Sequence, residues 1–99
     1  MTKRLLLMCT FLMAFLAVHA QVSQVTGKVS DSKSGQPIIG AAVFNVSSNA
    51  GDVTDENGNF NIKASKGNVI QISYLGYKTE TITLGDQKNL DINLDTDGV

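Results

Sequence analysis

Hydrophobic and polar residues alternate in short segments from Val25 to Leu94. Clusters of glycine, asparagine, aspartate and serine interrupt the alternation roughly every 8–12 residues. Successive side chains of a strand point to opposite faces, so each segment would have one apolar and one polar face. No stretch of this part has a convincing helical period. The pattern predicts an all-β fold of about seven strands, arranged as a Greek-key-like β-sandwich.

The segment 69–74 is the most apolar of the predicted strands. Ile70, Ile72 and Tyr74 share one face, so the pattern predicts a central strand with all three side chains pointing inward. Gly76 interrupts the alternation and predicts a turn. The other strands alternate in the same way, with one face formed by these residues: Val25, Val29, Phe60, Ile62, Ala64, Ile82, Leu84, Leu90, Ile92 and Leu94.

Asn57-Gly58 is the strongest hairpin signal in the chain. Both residue types adopt a positive φ at low cost, which allows a tight reversal of the backbone. The sequence therefore predicts a hairpin between Val53 and Phe60.

Acidic and amide side chains crowd the same loop at Asp52, Asp55, Glu56 and Asn57. Oxygen ligands at such spacing could hold calcium. They do not follow the spacing of a known calcium loop, and aspartate or asparagine before a glycine also serves turn geometry. A structural turn is the favoured interpretation, and a calcium site is the alternative.

The first twenty residues have a different character. Two basic residues precede an uncharged apolar run, 5–18, that is shorter than the roughly 20 residues a membrane-spanning helix needs. Small residues and then a polar stretch follow, which is typical of a secretory signal peptide cleaved between Ala20 and Gln21. An uncleaved anchor is disfavoured because the run is short. Lipidation is disfavoured because most of the apolar run follows Cys9.

Removal of residues 1–20 limits the chemistry of the chain. Cys9 and His19 are the only cysteine and the only histidine, and both leave with the leader. Catalysis by a triad or by zinc is therefore nearly excluded, and we expect no enzymatic activity and no cofactor. Two of the eight basic residues also leave, so six scattered lysines remain with nine acids. This balance predicts no nucleic-acid partner.

Two segments are candidates for contact with a partner. One is the loop around Asn49 and Gly51, and the other carries Tyr74 and Tyr77 on either side of Gly76. A pair of tyrosines could stack on a sugar ring. Carbohydrate platforms usually include tryptophan, which the chain lacks, so packing in the core or at a corner is the favoured role.

Three phrases occur together in the order that one protein family shows: GQPIIGAAV (35–43), TDENGNF (54–60) and ISYLGYKT (72–79). With the opening phrase VTGKV (25–29), they resemble the carboxypeptidase-regulatory-like domain, a transthyretin-like β-sandwich. The likeness covers residues 25–94, which is nearly all of the chain after the leader.

A domain of this family directly after a signal peptide is often the N-terminal extension of SusC/RagA-type TonB-linked outer-membrane receptors, which import glycans or peptides. The resemblance implies a non-catalytic interaction module in the periplasm or at the periplasmic face of the outer membrane. The implied partners are the TonB-type energy-coupling system, the receptor's own barrel and a surface lipoprotein. The alternatives are an accessory sandwich of a secreted peptidase or adhesin, and a stand-alone exported binding protein.

These interpretations divide the chain into a signal peptide (1–20), a β-sandwich (21–94) and a linker or truncated start of a further region (95–99). The last segment is polar and is expected to be loose. Receptors of the resembled kind continue into a run of valines and a plug, so transport is implied only for a longer chain of which this is the front piece.

Overall fold

The structure, a computed structural model, describes residues 22–98. Seven strands and no helix lie in this range: β1 (Ser23–Asp31), β2 (Ala42–Asn45), β3 (Ala50–Val53), β4 (Asn59–Ala64), β5 (Val69–Ser73), β6 (Glu80–Thr83) and β7 (Asn89–Leu94). The predicted all-β fold with about seven strands is confirmed. The predicted signal peptide and its cleavage position, Ala20 and Gln21, lie outside the described residues.

The strands form two sheets that pack face to face. One sheet has the order β4-β1-β7, and the other has the order β3-β2-β5-β6. Every neighbouring pair is antiparallel except β1 and β7, which run parallel. Four of the six connections cross from one sheet to the other, so the apolar faces of both sheets enclose one core.

The core consists of the inward residues of the alternating strands. Ile70 and Ile72 are fully buried in β5, which lies between β2 and β6, so the predicted central position of this strand is confirmed. Burial removes such side chains almost completely from water, which is the main favourable contribution to folding. The other buried apolar residues are Val25, Val29, Ile38, Ala41, Val43, Phe60, Ile62, Ala64, Leu84, Leu90, Ile92 and Leu94.

Gly27 lies at the middle of β1, where the two neighbouring strands come closest to its backbone. It is paired with Phe60 of β4 on one side and with Leu90 of β7 on the other. A Cβ at this position would overlap the Phe60 ring and the Leu90 carbonyl oxygen. The glycine of the VTGKV phrase is therefore required for the Phe60 ring to pack this close to the backbone of β1.

The predicted hairpin between Val53 and Phe60 is corrected by the structure. β3 and β4 lie in different sheets, so no ladder joins them, and the intervening turn carries the chain across the sandwich. Gly58 has the expected positive φ of 78°, whereas Asn57 does not have a positive φ. The turn is instead fixed by Asp55, as described below.

The predicted inward position of Tyr74 is wrong. β5 ends at Ser73, and Tyr74 begins a turn in which the Tyr77 N–H donates to the Tyr74 carbonyl at 3.1 Å. Gly76 has a φ of 88° in this turn, as its sequence position predicted. Because the backbone leaves the sheet at Tyr74, the alternation no longer decides where its side chain points, and 40% of Tyr74 is exposed.

Candidate interaction surfaces

The loop with the acidic and amide side chains is held by hydrogen bonds of its own carboxylates. Asp55 Oδ1 accepts the N–H groups of Asn57 and Asn59, each at 2.9 Å. Asp52 Oδ2 accepts the Asn61 N–H at 2.8 Å. Both aspartates thus satisfy backbone donors at the crossing between sheets, which is the structural role favoured by the sequence. Residues 22–98 contain no group of three or more His, Cys, Asp or Glu side chains arranged to hold a metal ion.

The two candidate contact segments lie at opposite ends of the sandwich. Asn49 follows the end of β2 at which Asn45 pairs with Ala50. Tyr74 follows the other end of the same sheet, where Ser73 pairs with Ala42. The structure therefore does not bring these residues together into one surface. A contact role for either segment stays a prediction.

The loop at Asn49 is organised by a residue that the sequence reasoning assigned no structural role. Asn45 is fully buried, and its Nδ2 donates to the Lys63 carbonyl at 3.2 Å and to Asn68 Oδ1 at 3.0 Å. Its Oδ1 accepts the N–H groups of Ser47 and Ser48. The inward position of Asn45 could have been predicted from the sequence. Asn45 lies two residues after Val43, and that spacing places both on the same face of β2.

Gly51 belongs to β3 and not to the loop. It is paired with Phe44 of β2, and a Cβ on Gly51 would lie 3.3 Å from the edge of the Phe44 ring. Phe44, at 37% exposure, lies on the outer face of the four-stranded sheet together with the exposed Val53. This outer face is partly apolar, whereas the outer face of the three-stranded sheet carries polar side chains.

The opposite end of the sandwich, where the chain leaves β7, is fastened by Tyr77. Its hydroxyl donates to Asp31 Oδ2 at 2.6 Å, and its ring packs partly buried against the core. The same carboxylate accepts the N–H groups of Lys33 and Ser34, at 2.8 and 2.9 Å. The hydrogen bond from Tyr77, followed by those from Ser34 and Lys33, lowers the pKa of Asp31 to about 2. The hydrogen bond to Asp31 raises the pKa of Tyr77 above its usual value.

The residues after β7 are tied to the Tyr77 loop, contrary to the expectation of a loose tail. The Lys78 N–H donates to the Asp95 carbonyl at 2.8 Å, and the Asp97 N–H donates to the Gly76 carbonyl at 2.9 Å. Tyr77 and Thr96 form an isolated antiparallel bridge between these two bonds. The direction in which the chain leaves the sandwich is thus fixed as far as Asp97.

The two tyrosines do not form a flat platform. Their ring centroids are 6.0 Å apart with an angle of 49° between the ring planes. The Tyr77 hydroxyl is already engaged by Asp31. Stacking on a sugar ring requires an open aromatic face, so this geometry supports the corner-packing role. Leu75, between them, is 93% exposed.

Residues 25–98 match the profile of the CarboxypepD_reg-like domain. The chain belongs to this family. The resemblance seen in the VTGKV, GQPIIGAAV, TDENGNF and ISYLGYKT phrases is therefore confirmed. Residues 22–98 contain no helix that could span a membrane.

Similar CarboxypepD_reg-like sequences occur in much longer proteins. The chain is 35% identical over 85 residues to the TonB-dependent receptor SusC of Bacteroides thetaiotaomicron, which covers 84% of this chain and 8% of SusC. The TonB-dependent receptors P26 and P3 of Formosa agariphila are 35% and 33% identical over 84% and 81% of the chain. The matched regions are the N-terminal regions of these receptors. The chain spans about 8% of the length of each of the three.

Solved structures share the CarboxypepD_reg-like fold. Two crystal structures of mutant type II cohesin-X-dockerin complexes from Acetivibrio cellulolyticus superpose with TM-scores of 0.60 and 0.56. They cover 75% and 72% of this chain, and 58% and 51% of the matched chains, at 26% and 24% identity. For the structure at 24% identity, the likeness shows the fold alone.

Proposed function

We propose that this chain is the non-catalytic N-terminal module of a SusC-type TonB-dependent receptor, located at the periplasmic face of the outer membrane of a Gram-negative bacterium. The match to SusC and two further receptors, each over most of this chain and a small part of the receptor, carries the proposal. Function depends on specific sites and not on the fold alone, so the proposal rests on these matches and not on the sandwich architecture.

The proposed partners follow from this position. The module would contact the TonB-type energy-coupling system, the receptor's own barrel and the components that associate with them, including a surface lipoprotein. The described residues favour such a docking role because the chain direction is fixed after β7 as far as Asp97, which would hold the module at a set angle to the segment that follows. The proposed cargo is a glycan or a peptide.

An antibody raised against residues 22–98 tests the proposal in cells. The 85 matched residues are 8% of SusC, so a receptor of that size would be roughly eleven times as long as this chain. We expect the antibody to detect a polypeptide of that size in the outer-membrane fraction. A soluble periplasmic polypeptide of about the size of this chain would instead support a stand-alone binding protein. A band that carries peptidase activity would support the accessory-domain alternative.

In-frame deletion of the codons for residues 22–98 tests the role itself. We expect the receptor to remain in the outer membrane and to bind its nutrient, while uptake falls. A receptor that lacks only its coupling or docking module should still bind the nutrient but should import it more slowly. Unchanged uptake across a panel of glycans and peptides would overturn the proposal.

A further inference from the structure

The two long sides of the sandwich differ. On the side of β3 and β4, the Asn61 N–H donates to the Asp52 carboxylate and bridges the two sheets beside a smaller cleft. On the side of β6 and β7, a cleft of about 480 Å³ separates the two edge strands. Its walls include Glu80 and Ile82 of β6, and Asp91 of β7.

The outward backbone groups of β6 can be assigned from the register. The Leu84 N–H donates to the Asn68 carbonyl at 2.8 Å, next to the pair of Thr83 with Val69. Hydrogen-bonded and non-hydrogen-bonded pairs alternate along an antiparallel ladder. The N–H and C=O groups of Thr81 and Thr83 therefore point away from β5. Within residues 22–98 no backbone group pairs with them.

β6 is only partly protected as an edge. Natural edge strands are very short, carry charged residues, proline or a bulge, or are covered by another element, and β6 is four residues long with one charged residue, Glu80. The sequence of β6 is ETIT, with three β-branched residues and with no lysine, proline or glycine. Such a strand is well suited to extend its ladder by one more strand.

Ile82 packs against the core but is not fully covered by it. It is paired with Ile70 and lies on the same inward face, yet it is only half-buried, whereas Ile70 is fully buried. An additional strand beside β6 would place an alternate side chain over Ile82 and remove it from water.

We propose that β6 is a docking edge for an extended segment of a partner protein, which adds a fifth strand to the four-stranded sheet. The cleft lining includes two acidic residues, Glu80 and Asp91, and no basic residue. On the face that meets the cleft, the segment that fits therefore carries an apolar side chain beside Ile82 and a lysine or arginine two positions away, beside Glu80, which lies on the same face of the ladder as Ile82. This inference rests on the proposed function for the existence of a partner, and it specifies the chemistry of that partner.

The test uses the peptide TKTVTKT as the probe, because its central valine and both lysines share one face, with the full chain exported to the periplasm of a host and labelled with ¹⁵N. We expect the largest amide shifts at Thr81, Ile82 and Thr83. We also expect hydrogen exchange of the Thr81 and Thr83 amides to slow about tenfold at saturation, because their free N–H groups become bonded. The peptide TETVTET should bind about tenfold more weakly, since it places an acid beside Glu80.

Two variants of Thr81 distinguish strand addition, which needs the outward backbone N–H, from attraction between side chains alone. Thr81→Pro removes an outward N–H without removing a bond to β5, and it should weaken binding about tenfold. Thr81→Val keeps the N–H and should change affinity by less than about twofold. The denaturation midpoint of each variant checks the fold. Should Thr81→Pro not fold, a TKTVTKT peptide N-methylated at alternate amides removes hydrogen-bond donors from the partner side of the same ladder and should also bind more weakly.

Several results would overturn the inference. Shifts centred on Asn89, Asp91 and Asn93 would assign the contact to β7, and shifts around Phe44 would assign it to the outer sheet face. No shifts, or equal affinity for Thr81→Pro, would exclude strand addition at β6. Failure of the peptide test alongside loss of uptake on deletion of 22–98 would reject this edge and keep the proposed function.

Discussion

The Tyr77 hydroxyl donates a 2.6 Å hydrogen bond to Asp31 Oδ2, which joins the loop before β6 to the turn after β1 across 46 positions of sequence. The backbone N–H groups of Lys33 and Ser34 donate to the other oxygen of the same carboxylate. All three donors favour the charged form of Asp31. The contact thus fixes the end of the sandwich at which β7 leaves.

The first prediction concerns acid. The pKa of Asp31 is about 2 in the folded chain, compared with an ordinary value of 3.8. A lowered pKa means that the unfolded chain binds the proton more readily, so the contribution of Asp31 to stability is fully present above about pH 4. It should decrease as the pH falls through about 2. Carboxyl chemical shifts recorded against pH should give this midpoint for Asp31.

Tyr77→Phe is the matched variant for that titration. It keeps the ring and removes the hydroxyl, so the Asp31 midpoint should rise while the bonds from Lys33 and Ser34 remain. An unchanged midpoint would show that the phenol does not hold the carboxylate.

The second prediction concerns alkali. The pKa of Tyr77 is raised above 10.0 by its hydrogen bond to Asp31. The unfolded chain therefore releases this proton first, and the contribution of Tyr77 is present below about pH 10 and lost as the pH rises further. In Tyr74→Phe, where Tyr77 is the only tyrosine, ultraviolet titration of tyrosinate should give a midpoint above 10.0, and a midpoint at 10.0 would contradict the prediction.

The third prediction concerns Gly58. A Cβ here would lie 2.6 Å from the Val29 carbonyl oxygen and 3.0 Å from the Pro37 Cβ, at a φ of 78°. Gly58→Ala should lower the free energy of unfolding by about 2–4 kcal/mol, from backbone strain and overlap together. Gly35 has a similar φ of 72° and no atom within 4 Å of its Cβ position. Gly35→Ala should therefore cost only about 1 kcal/mol, and equal costs in urea denaturation would show that overlap contributes nothing.

The fourth prediction concerns Asn45, which is fully buried with its amide hydrogen-bonded at both ends. Asn45→Ala leaves the Ser47 and Ser48 N–H groups and the Lys63 carbonyl without this partner. The free energy of unfolding should fall by about 2–4 kcal/mol. The exposed Asn93 of β7 is the control, and Asn93→Ala should change stability by less than about 0.5 kcal/mol. Similar values for the two variants would argue against a structural role for the buried amide.

The fifth prediction concerns the residues after β7. The amides of Lys78 and Asp97 donate to carbonyls across the exit of the chain, so both should exchange with solvent about tenfold more slowly than Gly98. Truncation after Leu94 removes the acceptor of Lys78 and should make its amide exchange rapidly. Equal exchange at Asp97 and Gly98 in the intact chain would mean that the tail is not held.

The alternation of apolar residues was sufficient to predict the seven strands and most of the core. Ile70, Ile72 and Leu94 are buried because strands with a period of two have only one face to present to a core. Tyr74 was mispredicted because its parity with Ile72 holds only while the backbone stays in the sheet, and the turn closed by the Tyr77 N–H ends the sheet at Ser73.

The segment 53–60, which carries the chain from one sheet to the other, shows a different limit of prediction from the sequence. Asn57-Gly58 indicated a reversal, but a local dipeptide does not determine which sheet receives the next strand. The Asp55 side chain fixes the turn, and the packing of Phe60 over Gly27 places β4 beside β1.

The parallel pairing of β1 and β7 has a mechanical consequence. The described chain begins at one end of β1 and continues from the opposite end of β7, so tension applied to the two chain ends would pull these adjacent strands past each other. The paired residues from Thr26 to Asp31 and from Asn89 to Leu94 would then carry the load in shear, all at once. A hairpin pulled at its open end breaks one bond at a time, whereas strands in shear must lose many bonds together. This arrangement lets the domain transmit a pull from one chain end to the other while it stays folded.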